Sequence, residues 1–302
     1  MSSQKNHIQS LCQRVERDLV KVWSKQDAAS VHRFRSDARR LQTVLEELAP
    51  EAGRQHKKLL KVLGRIRKRA GKVRDLDVQL VALRSLKIPQ EPRRKSQLMN
   101  NLIELRAEHE KKLRKTLSKQ VVRETGKRLK RASKDLKSVA ADDALAVARK
   151  MLGPAPTPRA RDAQTEDLLH HYRIVGKRAR YIAELGAESA ETTEFMAQLK
   201  RMQDAAGDWH DWFILTRTAA NRLGDVHESS LVAALHNVTG AKFRNAVTAL
   251  SALRAAQTAS EIENKPAHRP EHRPEHRPAS LARRGTKSLS RKTNQPPAAT
   301  AA

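Results

Sequence analysis

The sequence predicts an all-α protein made of two related antiparallel helical bundles, and three observations predict it. Apolar residues recur at alternating three- and four-residue spacing from about residue 4 to about residue 257, the period of an amphipathic helix. Aromatics make up only 3% of the chain and β-branched residues never gather into alternating runs, which disfavours strands. Two sequence blocks also recur in the same order at nearly the same offset, the mark of an internal repeat.

The bulk chemistry narrows the partner. The 302 residues suffice for one large domain or two modest ones. Hydrophobic residues are 38% and charged residues 31%, a balance suited to long exposed helices with narrow apolar stripes. Lys and Arg number 61 against 33 Asp and Glu, a formal net charge of +28. Self-repulsion on that scale is relieved by a polyanion: nucleic acid, an anionic membrane surface or a phosphate polymer. Cys12 is the single cysteine, which excludes an internal disulfide framework and suits a reducing compartment. Residues 1–20 hold no apolar signal core, and no stretch has the roughly 18 apolar residues needed to span a bilayer. A cytoplasmic location without membrane contact is expected.

Helix breakers divide the chain. They fall at Ala49-Pro50, at Ile88-Pro89-Gln90-Glu91-Pro92 and at Gly153-Pro154-Ala155-Pro156-Thr157-Pro158, with weaker ones at Gly186, Gly224 and Gly126. Pro50 and Pro89 are expected just inside helix starts, where proline is tolerated. The segment 153–158 is the strongest breaker and is taken as the boundary between a first repeat, about 6–152, and a second, about 160–256. From 258 to 302 the composition turns to His-Arg-Pro-Glu repeats followed by Ser, Thr, Lys, Arg, Pro and Ala. Such a segment cannot offset its ordering entropy, so a disordered basic tail is expected there.

The repeat locates candidate functional residues. Val31-His32-Arg33-Phe34-Arg35 with Arg39-Arg40-Leu41 matches Leu169-His170-His171-Tyr172-Arg173 with Lys177-Arg178-Ala179, and His170 lies 138 residues after His32. Leu63-Gly64-Arg65 with Gly71 and Arg74-Asp75 matches Leu199-Lys200-Arg201 with Gly207 and His210-Asp211, and His210 lies 136 residues after Arg74. Wound as helices, Val31, Phe34, Ala38, Leu41, Leu45 and Leu48 form one apolar seam, while His32, Arg35 and Arg39 form a basic stripe beside it. The second copy sets His170, Arg173 and Lys177 beside a seam of Leu169, Tyr172, Gly176, Ala179 and Ala183. A solvated helix face is the common explanation of one basic stripe. Two copies placing His, then Arg three residues later, at the same position beside the seam favour an anion site. Neither Arg35 nor Arg39 has a Glu one turn away, and like charges at that spacing cost a few tenths of a kcal/mol (~0.2–0.5) each.

These residues resemble the CHAD domain, the conserved histidine α-helical domain. The first half of such a domain is matched by His32 to Leu41 followed by Val73-Arg74-Asp75-Leu76-Asp77. The second is matched by His170-His171-Tyr172-Arg173-Ile174 with Lys177-Arg178-Ala179-Arg180-Tyr181, then Trp209-His210-Asp211. The resemblance covers roughly residues 6–256. It implies two helical-bundle repeats related by a pseudo-two-fold around a central basic pore or groove. It also implies binding of inorganic polyphosphate and association with polyphosphate granules.

Carried over residue by residue, the resemblance points to His32, Arg35, Arg39 and Arg40, and to His170, Arg173, Lys177 and Arg178. The second block adds Arg65 and Arg74 with Arg201 and His210. Arg114 and Arg244 follow by a looser match of Lys112-Leu113-Arg114 to Lys242-Phe243-Arg244. Asp75 and Asp211 are expected to orient basic neighbours or cap a helix. Gly176 departs from the pattern and is expected to make its helix less regular, since Gly costs roughly 1 kcal/mol relative to Ala. Polyphosphate carries no bases, so Arg forks, Lys charges and imidazole N–H groups suffice to hold it, and the low aromatic content suits it better than single-stranded nucleic acid. The alternative is a general nucleic-acid-binding protein that uses the +28 charge.

Other chemistries have little support in the sequence. The histidines form no HxxxH pair in a helix and have no carboxylate cluster beside them, so neither a metal nor any other cofactor is expected. Glu108-His109-Glu110-Lys111-Lys112 spells ExExK, a signature that works on a strand, where alternate side chains share a face. Here it lies in a helical run. A Gly-rich phosphate loop, a nucleophile elbow and an acidic pair for Mg²⁺ are all missing, and a non-enzymatic role is expected.

Overall fold

The computed structural model describes residues 2–49, 53–88, 91–135, 143–157, 163–224, 227 and 229–263. Among these residues it contains nine helices and no strand: α1 Ser2–Ser24, α2 Ala28–Leu48, α3 Arg54–Ser85, α4 Pro92–Thr116, α5 Lys119–Asp135, α6 Ala144–Leu152, α7 Ala163–Ala183, α8 Ala190–Leu223 and α9 Ser230–Glu263. Among the described residues no helix is long and apolar enough to cross a membrane.

Helix ends follow local chemistry. Asp27, Asp143 and Ser189 accept hydrogen bonds from the amides of Ser30 (2.8 Å), Ala146 (2.9 Å) and Thr192 (3.0 Å), satisfying donors that the first turn leaves free. Gly153 and Gly224 close α6 and α8 at φ 62° and 90°, a region that favours glycine. Two helix starts differ from expectation. Pro92, rather than Pro89, opens α4, and α3 begins after Gly53 rather than at Pro50; Pro50 and Pro89 lie outside the described residues. Gly126 does not break the chain. It sits inside α5, where an added Cβ would lie 2.9 Å from Glu16 Oε1, so α5 and α1 meet closely there. The break falls instead before Ser118, whose hydroxyl accepts from the Val121 amide at 3.2 Å.

Neighbouring helices follow the same order in both parts of the chain. α1 packs on α2, α2 on α3 and α3 on α4; α6 packs on α7, α7 on α8 and α8 on α9. The chief neighbour of α6 is therefore α7, although the sequence punctuation put residues 144–152 with the first repeat. A shift of 138 residues places α6 on residues 6–14 of α1. The described part of the proline-rich segment, 153–157, thus follows a helix packed with the second set. Gln257 of α9 clamps it, accepting from the Ala155 amide at 2.8 Å and donating to the Gly153 carbonyl at 3.0 Å. α9 continues to Glu263, past the boundary expected at 258, because the run 255–263 contains neither Pro nor Gly. The expected disordered tail lies outside the described residues.

Two apolar cores hold the assembly. The larger gathers the expected seams, including Phe34, Leu41, Leu45, Tyr172, Ala179 and Ala183, with Leu63, Leu199 and Trp209. The smaller joins Leu76, Leu80 and Leu83 of α3 to Leu98 and Leu102 of α4, and to Leu215, Leu231 and Leu235 of α8 and α9. Each fully buried Leu contributes about 1.5–3 kcal/mol, so both cores count in fixing the helix axes. Along α3 the side chains pass from the first core at Val73 to the second at Leu76, and along α8 from Trp209 to Leu215. Arg74, Asp75, His210 and Asp211 occupy those crossings.

Gly176 does not make α7 irregular, since the helix runs unbroken through it. A Cβ there would lie 2.8 Å from Met202 Cε and 3.5 Å from Gln203 Nε2, so glycine permits close approach of α7 to α8. Glu108 and Glu110 pair along α4 with Lys112 (3.7 Å) and with Arg106 and Arg114 (2.7 and 3.2 Å), as helical rather than strand neighbours. Cys12 is buried, and its thiol is pushed up to about 12 by burial and by Glu16. In urea denaturation, Gly176→Leu should cost about 1–3 kcal/mol by overpacking. Gly64→Ala, where nothing lies within 4 Å of the new Cβ, should be neutral or stabilising by up to about 1 kcal/mol.

Candidate functional site

α2 and α7 lie against each other, as do α3 and α8, so the helices bearing the matched blocks meet across the molecule. Their apolar stripes enter the larger core. The basic stripes beside those seams are thereby brought near one another.

The result is a cluster of cations with few counter-charges. Arg35 Nη2 lies 3.2 Å from Asp75 Oδ1, and Gly71 leaves room for its guanidinium, an added Cβ standing 3.5 Å from Arg35 Nε. Among the described residues no carboxylate lies within ion-pair distance of Arg39, Arg67, Arg173 or Lys177. The Nε atoms of Arg67 and Arg173 are buried without a hydrogen-bond partner. Burial, then the charges of Arg35 and Arg67, pushes Arg39 down to about 10. Burial, then Arg173, Arg39 and Arg35, pushes the Lys177 ammonium down to about 8. Arg173 is lowered by burial and by Arg35, with Asp211 opposing.

The histidines belong to the same field. Burial, then Arg173, His170 and Lys177, pushes His210 down to about 3. His32 is lowered by burial and by Arg74, Arg35 and Lys177, and His170 by burial and Arg173. The His170 and His210 rings stand 5.2 Å apart. Asp211 is raised by burial, against the pull of Arg173 and Lys177. Asp75 and Asp211 sit inside their helices, so they cap nothing; Asp75 meets Arg35. Chemically, the arrangement is a set of N–H donors with few acceptors nearby.

The candidates drawn from the sequence divide into three groups. His32, Arg35, Arg39, Arg74, His170, Arg173, Lys177 and His210 come together. Arg40 and Arg178 sit beside them but are already satisfied. Arg40 donates to Asp37 and Glu184, both at 3.1 Å, and lies over the Tyr181 ring; Arg178 donates to Glu46 and Glu47. Both arginines tie α2 to α7 or the turn after it. Arg65, Arg114, Arg201 and Arg244 are exposed and line none of the clefts that hold the cluster. Arg114 pairs with Glu110 at 3.2 Å and Arg201 with Glu194 at 3.3 Å.

Three site residues escaped the sequence reading. Arg67, Lys68 and Lys72 line a cleft of about 340 Å³ with Arg35, Arg39, Gly64, Gly71 and Asp75. Their signal was present: 64, 67, 68, 71, 72 and 75 advance by threes and fours along α3, one stripe over from the Arg65 position taken from the repeat.

The lysine shift has a consequence for stability. Between about pH 8 and the ordinary lysine value of 10.5 the unfolded chain keeps a proton that folded Lys177 has released. Stability of the free protein therefore rises through that window. Lys177→Met should raise the melting temperature at pH 7 and flatten the rise between pH 8 and 10.5 in calorimetry. A lower melting temperature would mean that Lys177 is stabilised rather than strained.

The CHAD domain family model matches residues 6–220. Similar solved structures include the CHAD domain from the plant Ricinus communis, with a TM-score of 0.60 at 19% identity over 85% of this chain and 91% of that one. PptA from Streptomyces chartreusis is also similar, with a TM-score of 0.59 at 12% identity over 85% of this chain and 98% of that one. At these identities the likeness concerns the fold. No curated protein matches the chain. With the family model spanning more than half of its length, the chain belongs to the CHAD domain family, a family known for binding polyphosphate.

Proposed function

We propose that this protein binds inorganic polyphosphate in the cationic cleft between α2, α3, α7 and α8, catalyses no reaction on it, and associates with polyphosphate granules in the cytoplasm. The observation that carries the reading is the convergence of Arg39, Arg67, Arg173 and Lys177, half-buried together without ion-pair partners among the described residues. Burying like charges is costly unless a counter-charge arrives. A chain of phosphates supplies one charge after another at a spacing that side-chain forks can follow.

The aromatics near the cleft favour a polymer without bases. Arg40 and Arg180 lie over Tyr181, 5.1 and 5.7 Å from its centroid, and Trp209 is buried in the larger core. Neither ring is free to stack on a nucleobase, which single-stranded nucleic acid binding commonly uses. Asp75 is engaged by Arg35 and Asp211 stands in the field of Arg173 and Lys177, so both are read as positioning groups. Among the described residues no three His, Cys, Asp or Glu side chains gather as metal ligands.

Titration of the full chain with long-chain polyphosphate and with DNA, at matched phosphate concentration, tests this reading. Polyphosphate should bind more tightly, and its affinity should fall as salt rises. Equal affinity for the two polymers would contradict the proposal. The combined variant Arg35→Ala, Arg39→Ala, Arg173→Ala and Lys177→Ala should lose at least about 100-fold in affinity while keeping its helical circular dichroism. Binding should also strengthen as pH falls below the ordinary histidine value of 6.5, because bound phosphate draws protons onto His32, His170 and His210, whose free-state values are depressed.

A further inference from the structure

The cleft region has two faces of unequal charge, and we propose that polyphosphate lies along the α2/α3 face and does not continue across to the face where α2 meets α7, α8 and α9. This inference rests on the polyphosphate reading and sharpens it, because it says where the strand runs and how many cations it can use.

Size and charge point in opposite directions. The α2/α3 face is the smaller, about 340 Å³, and is lined by Arg35, Arg39, Arg67, Lys68 and Lys72 with Asp75 as its one carboxylate. Of these five cations only Arg35 lies within ion-pair distance of a carboxylate among the described residues, 3.2 Å from Asp75. The other cleft is larger, about 830 Å³, and Arg33, Arg40, Lys177, Arg180 and Lys242 line it, with His32 at the edge it shares with the cluster. Asp37, Asp204, Asp208 and Asp211 line it too.

Most cations of the larger cleft are already neutralised. Arg40 pairs with Asp37 and Glu184, Arg180 with Glu184 at 3.3 Å, and Lys242 with Asp208 at 2.7 Å. Lys177, at its inner edge, belongs to the unpaired cluster. A phosphate moving past Lys177 would leave unpaired cations behind and meet carboxylates. Each further unit would gain little attraction and face like-charge repulsion. The strand therefore leaves toward solvent near Asp75 and Asp211, and these two groups mark the limit of the site. Arg67, Lys68 and Lys72 join the binding set, whereas Arg33 and Lys242 stay outside it.

Paired charge changes on the two faces provide the test, using the full chain and a fluorescent long-chain polyphosphate. Lys68→Ala with Lys72→Ala should weaken binding by about tenfold or more; both side chains are exposed, so the fold is not at risk. Arg33→Ala with Lys242→Ala should change affinity by less than about twofold. Asp204→Asn with Asp208→Asn, which relieves the repulsion on the far face, should also stay within about twofold. Equal losses from the two cation pairs, or a tenfold tightening in the double Asn variant, would show that the polymer crosses both faces. An unchanged affinity in Lys68→Ala with Lys72→Ala would overturn the assignment as well. Failure of the unaltered chain to bind polyphosphate would instead sink the reading on which the inference rests, and would appear before any variant was made.

Discussion

Repulsion among Arg35, Arg39, Arg67, Arg173 and Lys177 is the constraint around which this structure is organised. Guanidinium and ammonium groups prefer water and separation, yet four of these five have their proton affinity lowered by burial first and, for most, by their cationic neighbours second. Asp75 and Asp211 offset them from within, and Glu46 offsets Arg67. A folded chain tolerates this only when the rest of the molecule supplies the missing stability, and the field then selects for a ligand that brings negative charge in quantity.

The missing stability comes from apolar layers on either side. The larger core clamps α2 to α7 through Phe34, Leu41 and Tyr172, and the smaller clamps the far ends of α3, α4, α8 and α9 through leucines. Polar ties reinforce the joint outside the cleft. Glu46, Glu47 and Glu184 take up Arg178 and Arg40, and Glu91 accepts from Ser229 Oγ and the Leu231 amide at 2.8 and 2.9 Å at the start of α9, where helix geometry favours an anion. Carboxylates are thus spent at the margins. Arginines at the margins tie α2 to α7 and the turn after it, and of those inside the cleft Arg39, Arg67 and Arg173 have no carboxylate within ion-pair distance among the described residues.

Much of this was legible in the sequence. The seam from Val31 to Leu48 and the stripe of His32, Arg35 and Arg39 follow from helical period alone, and the 138-residue repeat located their partners on α7. Other features depend on packing between distant segments. Arg40 and Arg178 carry the same stripe chemistry as Arg39, but Glu184, Glu46 and Glu47 reach them only in three dimensions. Gly176 looked like a weak point because helix propensity is a local quantity, whereas its role is to let Met202 and Gln203 approach. Arg65 entered the site because the repeat aligned it with Arg201, whereas the period along α3 runs through 64, 67, 71 and 75. Where repeat alignment and helical geometry disagreed, geometry gave the better guide to which side chains meet.

The ε-amino group of Lys177 gives the most direct view of the cluster. Its titration can be followed by heteronuclear NMR of lysine-labelled protein, with Lys177→Arg to assign the resonance, in the absence and presence of polyphosphate. The account predicts a value near 8 in the free protein, rising to the ordinary lysine value of 10.5 or above when the polymer is bound. A free value already at 10.5, or one that polyphosphate leaves unmoved, would contradict a cleft built from unbalanced positive charge.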